Sequence, residues 1–280
     1  MSDFRTPLEW TKKLDHWFIF NPSRWPHREL ISRATALLII GLFLAMRIYK
    51  FYRFPGFYSA AQAFYSGFKA SGGGDLYSTA QIAGIWGVKL MVWLVETLIY
   101  LGYVASYISR AKAVDIANGF METAFPVAVA AIPLVISFLP YNLPHWAPYE
   151  TPHHAAFYLG IMVMIVTGGL LNLIGLLTLR RAFTIMTEAR TLITRGIFGY
   201  MRHPLYTGHF IMFFGSMLLR LDWPAAGLYL VFVVGQVMRA RVEERKLARV
   251  FAQYEQYRRR TGMFFPRPSA FKHRSRRSTV

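Results

Sequence analysis

The sequence predicts an all-α integral membrane protein, with four transmembrane helices followed by a C-terminal transmembrane helical hairpin. That makes six spans, with both termini in the cytoplasm. Three observations carry this reading. Of 280 residues, 54% are hydrophobic and only 16% are charged, where soluble domains carry about 25% charged residues. Apolar stretches of about 20 residues recur, the length a helix rising ~1.5 Å per residue needs to cross a hydrocarbon core of ~30 Å. Lys and Arg gather at alternate ends of those stretches, as they do on the cytoplasmic side of membrane proteins.

In chain order the predicted spans run over Ile31 to Ile48, Ala80 to Ile108, Phe120 to Leu139 and Ala155 to Leu179. Two shorter apolar stretches follow, Leu205 to Leu219 and Pro224 to Met238. The polar turn Arg220-Leu221-Asp222-Trp223-Pro224 joins them into a hairpin, with Pro at the start of the second helix. Arg5, Lys12, Lys13, Arg24 and Arg28 precede the first span, and Arg33 lies at its start. Arg110 and Lys112 follow the second, and Arg180, Arg181, Arg190, Arg195 and Arg202 follow the fourth. The 140–154 link holds no Lys or Arg, which puts it on the outer side. The predicted division is an N-terminal interfacial segment (1–30), a four-helix region providing the acceptor-binding part (31–179), a core with the hairpin and a C-terminal helix (180–268), and a basic disordered tail (269–280). Within the first segment, Leu8, Leu14, Trp17 and Phe18 share a helical face, which reads as an in-plane helix or an extension packed on the protein. The Ser-Gly-Gly-Gly run at 71–74 reads as a loop.

A formal charge of +18 would suggest nucleic acid in a soluble protein. Here the basic residues flank apolar stretches and no zinc-finger, RNP or P-loop spacing accompanies them, so the partner is the bilayer. The absence of cysteine excludes disulfides, thiolate metal sites and cysteine nucleophiles. There is no Gly-x-Ser-x-Gly elbow and no His-Glu-x-x-His. His145, His153 and His154 lack a metal-binding spacing and read as interfacial loop residues; no metal site is predicted. Lys89 and Glu96, seven apart and so on one helix face, read as a structural pair within the bundle or as a polar core facing a cavity. Asn172 reads as a helix–helix contact.

The C-terminal third carries the chemistry. Pro204 suits the first turn of the hairpin's leading helix. The backbone donors there, with Arg202 and His203 beside them, suit an anionic group. Glu243 and Glu244 lie just past the last span. Adjacent residues of a helix point to different faces, so one is free to contact a ribose or an amine while the other pairs with a neighbouring cation. A hairpin returns its two ends to one place, so Arg202-His203-Pro204 and Glu243-Glu244 are expected to meet at the membrane surface. On charge pattern alone the same residues also read as solvated interfacial charges.

These stretches resemble the membrane methyltransferase superfamily that includes isoprenylcysteine carboxyl methyltransferases and phospholipid N-methyltransferases. The shared pattern is Gly-x-Tyr-x-x-x-Arg-His-Pro-x-Tyr-x-Gly, a hairpin, then Arg-x-x-Glu-Glu-x-x-Leu-x-x-x-Phe-Gly-x-x-Tyr and a proline. Gly196, Arg202, His203, Pro204, Tyr206, Gly208, Glu243, Glu244, Leu247, Phe251, Tyr257 and Pro266 match it in order. Phe198 stands where Tyr is usual and Ala252 where Gly is usual. The resemblance covers roughly 190–266 and implies S-adenosylmethionine as cofactor. It implies a binding set of Gly196, Tyr200, Arg202, His203, Pro204, Tyr206, Glu243 and Glu244. Arg241 would hold an anionic acceptor such as a carboxylate, and with Glu244 forms the implied catalytic pair. The implied acceptor is a lipid or small hydrophobic molecule (an isoprenylcysteine carboxylate, a phospholipid amine, a thiol) entering laterally at the cytoplasmic face of a bacterial inner membrane. The rival readings are an NADPH-dependent membrane reductase of the sterol reductase type and a non-catalytic lipid transporter or scaffold.

Overall fold

The structure, a computed structural model, describes residues 28–53, 76–138, 152–220 and 222–267. The N-terminal segment before residue 28, the 71–74 run, His145 and the basic tail from 268 lie outside the described residues, as do the side chains of Lys89, His153 and His154.

The described residues form helices and two isolated β-bridges, with no strand among them. In chain order the helices are α1 (Arg28–Arg53), α2 (Leu76–Ser109), α3 (Gly119–Glu122), α4 (Ala124–Phe138), α5 (Pro152–Leu179), α6 (Pro204–Leu218), α7 (Trp223–Val250) and α8 (Tyr254–Arg260). Among the described residues, three helical segments are long and apolar enough to cross a membrane: Leu90–Ser109, Ala156–Ala182 and Trp223–Val250. Two shorter apolar helices, Ser32–Met46 and Ala124–Pro133, accompany them. Each stretch read as a span is helical, but two boundaries moved. The third stretch breaks at Thr123, whose hydroxyl donates to the Gly119 carbonyl at 2.6 Å. Glu122 leaves the apolar helix to meet Lys246 at 2.6 Å and Arg249 at 2.8 Å. What remains is α4, whose 15 residues extend only about 22 Å at 1.5 Å per residue. At the other end of the chain, α7 does not stop at Met238. It runs unbroken for 28 residues to Val250 and carries both glutamates beyond its apolar part. Asp222 starts it by accepting from the Ala225 N–H at 2.7 Å, an N-cap.

Side-chain burial explains how the helices sit together. On α2, Leu94, Leu98, Leu101 and Ile108 are exposed, as are Val163, Leu170, Ile174 and Leu177 on α5 and Leu230, Val231 and Val234 on α7. Apolar surface of that extent suits lipid rather than water. Because lipid tails are as apolar as leucine, helix association there depends on close packing by small residues. The α5–α6 contact is built that way. A Cβ added at Gly168 would lie 2.6 Å from the Gly208 carbonyl oxygen, and one added at Gly208 would lie 2.6 Å from that of Gly168. Only glycine lets these two backbones approach so closely. Tyr107, Leu176, Phe183, Phe198, Leu205, Tyr206 and Ala240 then form a buried core joining α2, α5, α6, α7 and the segment between α5 and α6.

Candidate functional site

The site is assembled at the two ends of the α6–α7 hairpin. Pro204 occupies the first position of α6, where a missing N–H costs no helical hydrogen bond. His203 caps that helix, and its carbonyl accepts from the Thr207 N–H at 3.1 Å. The chain returns after α8 to strap this turn. The Arg202 and His203 N–H groups donate to the Gly262 and Met263 carbonyls at 2.9 and 3.0 Å, and the Thr207 hydroxyl donates to the Phe264 carbonyl at 2.8 Å. A side chain at Gly262 would run into the Phe265 carbonyl, so the strap requires glycine there.

Glu244 comes from α7 to meet this turn. Its Oε1 accepts from Arg202 Nε at 2.6 Å and lies 3.1 Å from His203 Nε2. Arg202 also donates to the Arg258 carbonyl at 3.0 Å and to the Thr261 carbonyl, so one guanidinium ties the turn before α6 to α7 and to the C-terminal end of α8. Glu243, on a different face of the same helix, accepts from the Tyr206 hydroxyl and lies 3.3 Å from Arg239 Nε. The His203 and Tyr206 rings are stacked with centroids 5.2 Å apart, and the Arg239 guanidinium lies 5.2 Å from the Tyr206 ring centre.

A cavity opens beside these residues. Arg202, His203, Tyr206, Arg239 and Glu243 line it, together with Lys246, Phe198, Tyr254, Tyr257 and the segment from Ala182 to Ile193. Arg202, His203, Tyr206 and Glu243 of the sequence-predicted set therefore share one cavity. Glu244 is behind them, 2% exposed and holding Arg202 and His203 in place. Pro204 sets the helix start, and Gly196 takes the left-handed conformation at φ 61° in the turn before it. Gly196, Tyr200 and Arg241 are not among the cavity-lining residues, and Arg241 is exposed. Arg239, two residues earlier, provides the guanidinium that does line it.

Sequence reasoning missed the opposite wall. The segment 182–193 is held by the link between α2 and α3 and by α3 itself: the Ala189 N–H donates to the Asp115 carbonyl at 2.9 Å and the Thr187 N–H to the Glu122 carbonyl at 2.8 Å. Glu188 receives Arg190 at 2.6 Å and lies 3.6 Å from Arg110. Its other oxygen accepts from Ser32 of α1 at 3.2 Å. The charged run just before the Arg-His-Pro motif was the available signal for this wall.

The lining also contains buried polar atoms with no hydrogen-bond partner: the Tyr254 hydroxyl, the Thr187 hydroxyl and Nε of Arg190. Such atoms in a cavity wall are positioned for a polar ligand. Burial, with the charge of Glu244 adding to it, pushes the Tyr254 phenol above its ordinary value, which keeps it a neutral donor. Cationic, anionic, hydroxyl and aromatic groups around one cavity suit a polar ligand of mixed charge with a flat part. No group of three or more His, Asp or Glu suited to a metal occurs among the described residues.

Residues 155–254 match the family model for phospholipid methyltransferases. The chain is 25% identical over 230 residues to the protein-S-isoprenylcysteine O-methyltransferase of Rattus norvegicus, covering 79% of this chain and 77% of that protein. It is 37% identical over 90 residues to the nickel-cobalt-cadmium resistance protein NccN of Alcaligenes xylosoxydans xylosoxydans, covering 31% of this chain and 42% of that protein. It is 38% identical over 84 residues to the cobalt-zinc-cadmium resistance protein CzcN of Cupriavidus metallidurans, covering 29% of this chain and 38% of that protein. The chain thus spans less than half the length of these two resistance proteins.

Proposed function

We propose that this chain, which is similar to isoprenylcysteine carboxyl methyltransferases and phospholipid methyltransferases, is a membrane methyltransferase that transfers a methyl group from S-adenosylmethionine to a lipid or small hydrophobic acceptor. The observation that carries the reading is the cavity at the hairpin ends, where Arg202, His203, Tyr206 and Glu243 converge. When bound, S-adenosylmethionine would supply an electrophilic methyl on a sulfonium, for transfer to a lone pair of the acceptor with the neutral thioether as leaving group.

The protein's part is alignment and exclusion of water, and positioning of this kind can supply about 7–11 kcal/mol of a barrier. In the proposed arrangement Arg239 and Arg190 face the ligand's carboxylate, Glu243 faces its cationic centre, and the Thr187 and Tyr254 hydroxyls meet ribose or base. Phe198 and Tyr257 supply flat faces. Glu244 acts as a positioning residue, since its contacts are with Arg202 and His203. Arg241, expected from the sequence to hold the acceptor, reaches it only if it turns in from its exposed position. The proposed topology has six spans with the site at the cytoplasmic face of a bacterial inner membrane, in line with the basic segments that flank it.

Calorimetric titration of the purified protein with S-adenosylhomocysteine and, separately, with NADPH tests the reading. Binding of the first and not the second is expected, with loss of that binding in His203→Ala. Binding of NADPH alone would replace this assignment with a reductase.

A further inference from the structure

Helix α7 presents two different faces. At 3.6 residues per turn, successive side chains step about 100° around the axis. The cavity-lining Arg239, Glu243 and Lys246 fall within an arc of about 60°, on the side where Phe232 and Gly235 are buried. The exposed Leu230, Val231 and Val234 fall on the other side of the helix. Arg241 lies seven residues past Val234 and eleven past Leu230, each within about 20° of whole turns. It is therefore on the same outward face, and Arg245 and Arg249 follow it one and two turns later. The side of α7 that suits lipid thus ends in a stripe of arginines.

That stripe is poorly neutralised. Among the described residues, neither Arg241 nor Arg245 forms an ion pair with a carboxylate. Glu122, whose charge favours that of Arg245, is already engaged by Lys246 at 2.6 Å and by Arg249 at 2.8 Å. Arg241 and Arg249 both act against the charge between them, and like charges one helical turn apart are destabilising. The spacing also matches a membrane layer. Arg241 begins about 10 Å beyond Val234 along the axis, and Arg245 is about 6 Å further. The headgroup layer of one leaflet is about 5–8 Å thick, the margin between a hydrocarbon core of ~30 Å and a bilayer of ~40–45 Å.

We infer that Arg241 and Arg245, with Arg249 beyond them, form a binding site for the phosphate group of an anionic phospholipid in the adjoining leaflet. A planar guanidinium fork matches phosphate oxygens in pairs. An anionic lipid supplies the missing negative charge, whereas a zwitterionic one brings a cation of its own against the stripe. Because Arg239 and Glu243 occupy the opposite side of the same turns, the bound lipid holds the cavity level with the headgroups. The site does not depend on what fills the cavity, and it gives Arg241 an outward role in place of acceptor binding.

The test uses the full chain in detergent micelles and native mass spectrometry. It measures the affinity of phosphatidylglycerol and of phosphatidylcholine with the same acyl chains. At roughly fivefold per arginine near a headgroup surface, the wild type is expected to prefer phosphatidylglycerol about 25-fold. Arg241→Gln combined with Arg245→Gln is expected to abolish that preference while the thermal midpoint in lipid-free micelles is unchanged. Arg259→Gln combined with Arg260→Gln removes the same charge from exposed positions on α8 and is expected to keep the preference. No preference in the wild type overturns the inference, as does a preference that survives in the α7 variant or is lost equally in the α8 variant. Inorganic phosphate bound as tightly as phosphatidylglycerol overturns it too, since the site would then take free anions. If the α7 double variant does not fold, Arg241→Gln alone decides, with an expected loss of about fivefold in the preference.

Discussion

Glu244 and Glu188 are both buried carboxylates, each with two basic partners, and they stabilise different things. Glu244 joins α7 to Arg202 and His203, forty-odd residues earlier, and so locks the two ends of one hairpin together. Glu188 joins the cavity's far wall to Arg110 after α2 and to Ser32 of α1, 156 residues away. The first pairing sets the geometry of the ligand-facing side chains. The second fastens the N-terminal helices to the core. A buried charge needs compensation wherever it is, but what it fixes depends on which elements supply its partners.

The largest expected effect comes from breaking either cluster at one partner. Arg202→Ala leaves Glu244 buried without its guanidinium, at a cost of about 3–5 kcal/mol, read as a lowered thermal midpoint. Arg110→Ala is expected to cost a similar amount by exposing Glu188 to the same penalty. The clusters separate under substitutions that keep shape and remove charge. Glu244→Gln is expected to weaken S-adenosylhomocysteine binding and turnover more than stability, whereas Glu188→Gln is expected to lower stability more than ligand affinity. Calorimetry beside thermal unfolding distinguishes the two, and identical behaviour would erase the contrast.

Smaller effects sharpen the picture. Glu243→Gln removes one charge facing the cavity and is expected to weaken S-adenosylhomocysteine by about 1.5–3 kcal/mol, the range for hydrogen bonds to charged groups. Gly208→Ala forces α5 and α6 apart and is expected to cost about 1–3 kcal/mol through overpacking, with unfolding measured in the same micelles. Thr207→Val removes the hydroxyl that ties α6 to Phe264 and is expected to cost about 1 kcal/mol.

The two clusters also show what the sequence disclosed and what it withheld. The Arg202–Glu244 pairing was legible because both residues fall in motifs at the ends of a predicted hairpin, and a hairpin returns its ends to one place. Adjacent glutamates facing apart on a helix were likewise legible, and Glu243 toward the cavity with Glu244 behind it is that geometry. Glu188, Arg190, Arg110 and Ser32 were not, because each taken alone is an ordinary residue near a membrane boundary and only packing between distant helices makes them a unit. Arg239 and Arg241 show the same limit on a finer scale. They lie on one helix and differ by two residues, and only the tertiary arrangement decides that Arg239 lines the cavity. The break at Thr123 was hidden by an apolar run that continues through it, and is explained by Glu122 reaching Lys246 and Arg249 on α7.

The most direct test of the central claim is photo-crosslinking of isotopically labelled S-adenosylmethionine to the full chain, followed by peptide mapping. The account predicts label within residues 182–206 and 239–257, the two walls of one cavity, and its suppression by excess S-adenosylhomocysteine. Label confined to α1, α2 or α4, with neither wall modified, would contradict it.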